Sequence, residues 1–197
     1  MNMDITDSDA QDRADMARLA AGHDAALNDL MERHAAAVFR FLFRMLNHED
    51  DANDLAQETF VRVFQARAAF DPNKQFSTWL FTIAANLARN QIRWRTRHPN
   101  VSLEAESEST EQSLTEKLAS PSATPKEETL RKERTAAVRA AVNELPEDMR
   151  AAIVLCEWEE RSMAEAATIL AATPKAIESR LYRARQILRE QLKGWLT

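Results

Sequence analysis

Glycine and cysteine are both scarce in this chain, which has two glycines and one cysteine in 197 residues. Phosphate-binding loops, tight β-turns and barrel corners depend on glycine, so the count excludes Rossmann and P-loop enzymes and argues against β-rich folds. A single cysteine, Cys156, excludes a disulfide framework and any multi-cysteine metal site, and it is typical of a reducing compartment. We therefore expect an all-α protein in the cytoplasm.

Long apolar runs are also missing, and the first fifteen residues are acidic where a signal peptide would be basic. We expect no membrane insertion, and a loose tail at the amino terminus. The four histidines, His23, His34, His48 and His98, show no ligand spacing with one another or with Cys156. The sequence therefore predicts no metal and no cofactor, and it predicts Cys156 to be a small core residue.

Charge is distributed unevenly along the chain, whose formal net charge is -5. Residues 72–103 contain five basic and no acidic residues, whereas residues 104–128 contain seven acidic and two basic ones. Residues 174–197 contain six basic and two acidic residues. Because phosphate neutralisation supplies most non-specific affinity for DNA, the net charge argues against unaided DNA binding, while two cationic segments favour nucleic-acid contacts.

Apolar periodicity and capping signals predict helices near residues 10–21, 24–46, 50–66, 77–97, 127–143, 147–158, 162–171 and 174–192. Ser162 with Glu165, and Thr124 with Glu127, have capping-box spacing. Residues 98–126 are rich in Ser, Thr, Glu and Pro, which predicts a linker. We expect two small helical domains, 1–97 and 127–197, joined by a flexible acidic linker, 98–126. Its reach of about 30 Å as a coil and about 95 Å when extended would let them bind far apart.

Residues 162–192 have the layout of a helix-turn-helix, with Thr173 as the N-cap of the second helix. One side of that helix is apolar and predicts a buried face: Ile177, Leu181, Ala184 and Leu188. The opposite side is cationic and hydrogen-bonding, as a helix in a DNA major groove requires: Lys175, Ser179, Tyr182, Arg183, Gln186 and Arg189. The basic face alone is equally compatible with a solvated bundle surface. Glu178 departs from the pattern, and a local pair with Arg185 or Arg189 would account for it.

Two helices of the first domain carry further patterns. Asp51, Asp54 and Glu58 lie along one stripe, which without other context is typical of solvated helix surface. In the helix 77–97, an apolar stripe predicts core positions that include both tryptophans: Trp79, Leu80, Ile83, Leu87 and Trp94. A second stripe suits single-stranded DNA, because amides read base edges and guanidiniums hold phosphates: Thr82, Asn86, Arg89, Arg93 and Arg97.

Three motifs at the carboxyl end together resemble region four of bacterial sigma factors of the extracytoplasmic-function group. They are Leu145-Pro146-Glu147-Asp148-Met149-Arg150, Ser162-Met163-Ala164-Glu165-Ala166-Ala167 and Ser179-Arg180-Leu181-Tyr182-Arg183-Ala184-Arg185. The resemblance implies that this domain contacts the β flap of RNA polymerase core and reads the minus-thirty-five element. The residues carried over to that reading are Lys175, Ser179, Tyr182, Arg183 and Gln186.

The first domain resembles region two of the same group, on Asp54-Leu55-Ala56-Gln57-Glu58-Thr59-Phe60 and Phe76-Ser77-Thr78-Trp79-Leu80. The resemblance implies docking on the clamp helices of the polymerase β′ subunit through Asp51, Asp54, Gln57 and Glu58. It also implies melting and capture of the minus-ten element. The residues placed there are Phe70, Asn86, Arg89, Asn90 and Arg93.

The resulting interpretation is an alternative sigma factor, a non-enzymatic subunit that directs polymerase core to promoters and helps to open them. Tethering to polymerase would compensate for the net acidity, because it raises the effective concentration of two modest DNA-reading modules. The resemblance also suggests an anti-sigma factor as a partner. Two alternatives remain open: a sigma mimic that sequesters an anti-sigma factor, which should lack the DNA-reading faces, and a stand-alone helix-turn-helix regulator, which leaves the first domain unexplained.

Overall fold

The computed structural model describes residues 5–98 and 125–195, and all regular structure within those ranges is helical. The all-α prediction is confirmed. Most of the expected linker, and the Thr124–Glu127 capping box, lie outside the described residues. Helix formation resumes at Pro125, two residues earlier than expected.

The first unit contains four helices: α1 (Ile5–Ala20), α2 (Ala26–Leu46), α3 (Glu49–Gln65) and α4 (Phe76–Arg97). The second contains α5 (Pro125–Glu144), α6 (Glu147–Ile153), α7 (Met163–Ile169) and α8 (Pro174–Gln191). A π-helical turn, Val154–Trp158, continues α6, and short 3₁₀ turns occupy Arg67–Ala69 and Lys193–Trp195. The predicted single helix 147–158 is therefore a short α-helix followed by a widened turn.

The helix-turn-helix in α7 and α8 is held by its capping residues. Ser162 accepts a hydrogen bond from the Glu165 backbone N–H at 3.2 Å, and the Glu165 carboxylate accepts from the Ser162 N–H at 2.9 Å. Thr173 accepts from the Ala176 N–H at 3.1 Å, directly before Pro174. These bonds satisfy amide donors that the first helical turn leaves free, so the predicted starts of both helices are confirmed.

The acidic amino terminus is helical and partly buried, so the expectation of a loose tail is wrong for the part described. Asp12 and Asp15 are 2% and 0% exposed. Arg33 of α2 donates to Asp12 at 2.9 Å and to Asp15 at 2.5 Å, and His34 contacts Asp12 at 2.8 Å. Burial lowers the pKa of Arg33, but its hydrogen bonds to Asp15 and Asp12 outweigh this effect and raise the pKa overall. A paired carboxylate can be buried where a free one cannot.

The two units pack against each other and share one cluster of buried apolar residues. Arg150 of α6 donates to the Met45 carbonyl at 2.8 Å, and Arg161 donates to Ser77 Oγ at 2.9 Å while its guanidinium lies 4.6 Å from the centre of the Phe81 ring. These contacts place α6 and α7 beside α2 and α4. The extended arrangement expected on DNA is a different one and stays a prediction.

A largely buried ion pair also joins the units, between Arg44 and Glu159 at 2.8 Å. Burial raises the pKa of the Glu159 carboxyl, and the positive charge of Arg44 only partly opposes this. Burial likewise lowers the pKa of Arg44. Desolvation therefore opposes both charges and offsets part of the attraction between them.

Candidate nucleic-acid interface

One face of α8 is buried against the core, and the opposite face is open to solvent. Ile177, Leu181 and Ala184 are at most 4% exposed, as predicted. On the opposite side Tyr182 is 63% exposed, and its hydroxyl accepts a hydrogen bond from Gln186 Nε2 at 2.8 Å. The face therefore presents aromatic, amide and guanidinium groups to solvent at positions suited to base edges. Its residues are Lys175, Ser179, Tyr182, Arg183, Gln186 and Arg189.

Charges on this face are partly neutralised within the protein. Glu178 pairs with Lys175 at 2.8 Å, so the suggestion that it pairs with Arg185 or Arg189 is wrong. Arg185 contacts Glu157 instead, through its Nε at 3.2 Å and its Nη2. Lys175 is three residues from Glu178, which is about one helical turn, whereas Arg185 and Arg189 are seven and eleven residues away. Lys175 is therefore the nearest of these three cations to Glu178 along the helix. Arg183 and Arg189 form no ion pair within the described residues, so they carry the free positive charge of the face.

The acidic stripe of α3 is smaller than the sequence suggested. Asp51 accepts from Gln91 at 2.5 Å and pairs with Arg95 at 2.7 Å, both on α4. Glu58 pairs with Arg62 at 2.8 Å. Asp51 and Glu58 are therefore occupied by partners within the protein.

Asp54 and Gln57 remain, and both are exposed and form no hydrogen bond or ion pair within the described part of the chain. Asp51 instead holds α3 against α4. Two adjacent polar side chains are thus left available on this face for a partner.

Phe70 does not project freely towards solvent. Its ring packs 5.2 Å from Trp79 and 6.0 Å from Phe76, centroid to centroid, and its side chain is half-buried. A cluster of three aromatic rings therefore supports the loop 71–75 at the start of α4. Phe70 therefore supports the start of α4, and its ring is largely covered by Phe76 and Trp79.

Asn86 borders an open groove of about 520 Å³ between the end of α3 and the middle of α4. Other residues that line it are Glu58, Arg62, Gln65, Ala66, Trp79 and Ile83. One wall is aromatic and aliphatic, and the rest is amide, carboxylate and guanidinium. This combination suits a flat polar ring, which needs an apolar face and hydrogen-bonding edges. Sequence reasoning missed Arg62 and Gln65, because α3 shows them only as ordinary exposed helix positions.

Arg89 is engaged by the second unit, since its Nε lies 3.3 Å from Glu147 Oε1. It also donates to Asn86 Oδ1 at 3.4 Å. Asn90 and Arg93 are exposed. No local pattern could have linked Glu147 to Arg89, because the two residues are 58 positions apart.

Trp94 is not a core residue, so the expectation for it is wrong, whereas Trp79 packs on the core as expected. Trp94 is 40% exposed, and its ring stacks on His98 with centroids 4.9 Å apart and planes inclined by 25°. At this end of α4 the residue that contacts α3 is Arg95, which pairs with Asp51 at 2.7 Å, whereas the indole of Trp94 contacts His98. Cys156 is half-buried beside the core, and burial raises the pKa of its thiol.

Within the described ranges, no group of three His, Cys, Asp or Glu side chains is placed to hold a metal ion. Among the helices described, none is both long and apolar enough to cross a membrane.

Comparison with known proteins assigns both units. The family description "Sigma-70 region 2" matches residues 30–98, and "Sigma-70, region 4" matches residues 135–188. The ECF RNA polymerase sigma factor SigW of Bacillus subtilis is 31% identical over 173 residues, which cover 87% of this chain and 91% of that protein.

Two solved structures share the fold over most of the chain. The structure of CnrH in complex with the cytosolic domain of CnrY has a TM-score of 0.68 and 29% identity, and it covers 93% of this chain and 98% of that one. The sigma factor RpoE in complex with the anti-sigma factor NepR from Bartonella quintana has a TM-score of 0.64 and 26% identity, over 84% of this chain and 96% of that one. With both regions present, in order and over matched lengths, the chain belongs to the extracytoplasmic-function group of sigma-70 factors and is an alternative sigma factor for transcription initiation.

Proposed function

We propose that this sigma factor binds RNA polymerase core through α3 and reads promoter DNA with α4 and α8, without catalytic activity of its own and in the cytoplasm. The observation that carries the proposal is the coincidence of the two matched regions with three exposed polar surfaces. Neither alternative function is favoured, because the polar faces of α4 and α8 are both present and the first unit matches sigma-70 region 2 over residues 30–98.

The polymerase-binding surface is centred on Asp54 and Gln57, with Glu58 at its edge. Asp54 is exposed and unpaired within the described residues, so a basic partner on the β′ clamp helices meets no internal competitor. Glu58 must share its charge with Arg62. Asp51 contributes indirectly, because its bonds to Gln91 and Arg95 fix the angle between α3 and α4.

The minus-ten surface consists of the groove at Asn86 and the stripe that continues through Asn90 and Arg93. A base turned out of the stack would lie against Trp79 and Ile83 in the groove and hydrogen-bond to the Asn86 amide. Arg89 joins this surface once its contact with Glu147 is broken.

The minus-thirty-five surface is the open face of α8. Arg183 is the residue most suited to a bidentate contact with guanine, because its guanidinium is exposed and unpaired within the described residues. Tyr182, Ser179 and Gln186 surround it, and Lys175 contributes a phosphate contact weakened by Glu178. We place the β flap on the remaining surface of region 4.

We further propose that an anti-sigma factor regulates this chain, as one is bound to the Bartonella quintana relative. Promoter elements two helical turns apart are separated by roughly 70 Å. The packed units must therefore separate on DNA. A partner that keeps them together would prevent simultaneous reading of both elements.

The direct test of the polymerase surface is co-purification with core polymerase. Asp54→Arg should abolish the association, because it reverses the one free charge of the surface while leaving every internal contact intact. Glu32→Arg, which reverses an exposed acidic side chain of α2 that forms no ion pair within the described residues, serves as the matched control and should retain core binding. Unchanged binding by Asp54→Arg, with the helical content of both variants preserved, would remove this assignment.

A further inference from the structure

The buried charged cluster between α1 and α2 includes a histidine that the three proposed surfaces do not use. Arg33 of α2 pairs with both Asp12 and Asp15 of α1. Asp12 also contacts His34, with 2.8 Å between Oδ2 and Nε2, and the His34 side chain is only 12% exposed. Because Arg33 already joins the two helices through both carboxylates, the contact of His34 is additional to that clamp.

The contact with Asp12 fixes the orientation of the His34 ring. A carboxylate that accepts a hydrogen bond from a guanidinium is an acceptor only, so Nε2 of His34 is the donor to Asp12. Asp12 is itself held by Arg33 Nε at 2.9 Å. The imidazole is therefore oriented by a carboxylate that is already fixed in place.

The oriented ring of His34 packs on Phe76, the first residue of α4. The ring centroids are 5.3 Å apart, the planes are inclined by 58°, and Phe76 is fully buried. Gln75, directly before α4, makes no capping hydrogen bond through its side chain to the described first turn. Unlike α7 and α8, α4 therefore begins without a side-chain cap, and the packing of Phe76 positions its first turn.

Phe76 connects His34 to the groove where we place the captured base. Its ring centroid lies 6.0 Å from that of Phe70 and 6.2 Å from that of Trp79. Trp79 lines the groove, while Phe70 and Phe76 stand at the two ends of the loop 71–75. A change in the position of the Phe76 ring would therefore move one wall of the groove and both ends of the loop.

A second contact joins α1 to the same loop. α1 packs against the 3₁₀ turn Arg67–Ala69, which ends one residue before Phe70, and it also packs against α4. The described residues that line the groove lie in α3, in α4 and at Ala66. α1 therefore supports the loop from both ends while standing behind the groove.

We propose that His34, held by Asp12, is a positioning residue for capture of the minus-ten base. It does not touch the DNA itself, and it acts by fixing Phe76 and, through Phe76, the Trp79 wall of the groove. A flat base needs an apolar wall and hydrogen-bonding edges in register, so a displaced wall lowers the preference for the correct base. The inference rests on the proposed minus-ten function and predicts that base preference depends on a buried residue away from the DNA.

The test measures base preference on single-stranded DNA with holoenzyme reconstituted from this chain and core polymerase. Oligonucleotides carrying the selected minus-ten element are varied to each of the four bases at each position. Preference is the ratio of the affinities for the best and the second-best base. The captured position is the one at which Asn86→Ala lowers that ratio most in the parent background.

Two substitutions at His34 separate positioning from stability. His34→Gln places an amide nitrogen near the position of Nε2, so it keeps a donor for Asp12 and loses the ring on Phe76. His34→Phe keeps a ring on Phe76 and leaves a buried oxygen of Asp12 without its donor, so it should lower the Tm more. His34→Gln should nevertheless reduce the base preference more, by roughly threefold to tenfold, which is the range for one aromatic contact.

The matched control is Ile177→Val, at a fully buried position of α8 in the second unit. It should lower the Tm and leave the base preference unchanged, and every variant should retain core binding. A preference that falls in step with the Tm, with His34→Phe worse than His34→Gln, would reduce His34 to a structural role and overturn the inference. A loss of core binding by His34→Gln would overturn it as well.

The same data distinguish failure of this inference from failure of the proposed function. If the parent holoenzyme prefers one base at the captured position and His34→Gln prefers it equally, the inference fails while the proposed function stands. A parent holoenzyme without base preference at any position would overturn both.

Discussion

At the residue scale, function depends on which polar side chains the fold leaves unpaired. The acidic stripe of α3 and the basic face of α8 were both visible as helical periodicities. Their internal partners were not, because the bonds Asp51–Arg95 and Arg185–Glu157 join residues distant in sequence. At Arg183 and Asn86 the residue type, the exposure of the side chain and its position on the helix all fit the proposed contact with DNA.

Arg183→Ala should reduce transcription at least tenfold from promoters that depend on the upstream element, since a lost bidentate contact costs about 1–3 kcal/mol. Arg183→Lys keeps the charge but loses the planar fork, so it should restore only part of the activity. Run-off transcription on matched templates measures both. An equal loss on templates with the upstream element scrambled would show that Arg183 does not read sequence.

Asn86→Ala should leave core binding unchanged and weaken open-complex formation, because the captured base loses its amide partner. A pre-melted bubble should recover only part of the loss, since it removes the unpairing cost but not the missing contact. Permanganate reactivity of unpaired thymines reports opening directly. If the variant opens duplex promoters as well as the parent protein, α4 acts here mainly as scaffold.

At the element scale, capping chemistry determined how well the helices could be predicted. The starts of α7 and α8 were correct because Ser162, Glu165 and Thr173 form local bonds that sequence spacing already specifies. The predicted start of α1 was wrong because the acidic residues of this helix are stabilised by Arg33, which lies on another helix. The π-helical turn after α6 has no sequence signal that we can identify.

Ser162→Ala should lower the free energy of unfolding by about 0.5–2 kcal/mol, because it removes the side chain that caps α7. Thermal unfolding followed by circular dichroism measures this, with Thr168→Ala on the exposed side of α7 as the control. An unchanged Tm for Ser162→Ala would show that tertiary packing alone holds this helix start.

The capping box should also make stability depend on pH. Burial raises the pKa of Glu165, but the hydrogen bonds from Ser162 and the charge of Arg161 outweigh it, so the pKa lies below its ordinary value. The stabilisation is therefore present above the unfolded-state pKa and is lost as pH falls through the folded-state pKa. The stability difference between the parent protein and Glu165→Gln should shrink on acidification, and a constant difference would contradict this.

At the scale of the whole molecule, the all-α class followed from composition and capping, and the order of the two matched regions followed from the resemblance. The bounds of the linker stay a prediction. The packing of one unit on the other could not be predicted from the sequence. Contacts such as Arg150 with the Met45 carbonyl and Arg161 with Ser77 join residues that are distant in the chain and produce no periodic pattern. That packing pairs Arg89 with Glu147, so in this arrangement Arg89 is not free to join the proposed minus-ten surface.

Joining the units chemically should therefore abolish function. Thr78 and Thr168 line the two sides of a groove between α4 and α7. In a background with Cys156→Ala, Thr78→Cys and Thr168→Cys bridged by a cleavable bismaleimide should lose promoter-dependent transcription at least tenfold and regain it on cleavage. Each single-cysteine variant, treated identically, is the control. Full activity of the bridged protein would show that the units need not separate.

The most direct measurement of the central claim is run-off transcription with this purified chain and core polymerase. Templates should carry promoter elements selected from a randomised library by the reconstituted holoenzyme. We predict a discrete transcript that requires the chain, disappears with Asp54→Arg, and falls when either of two elements about 70 Å apart is scrambled. A chain that binds core polymerase but selects no promoter, or that binds such DNA equally well without polymerase, would contradict the account.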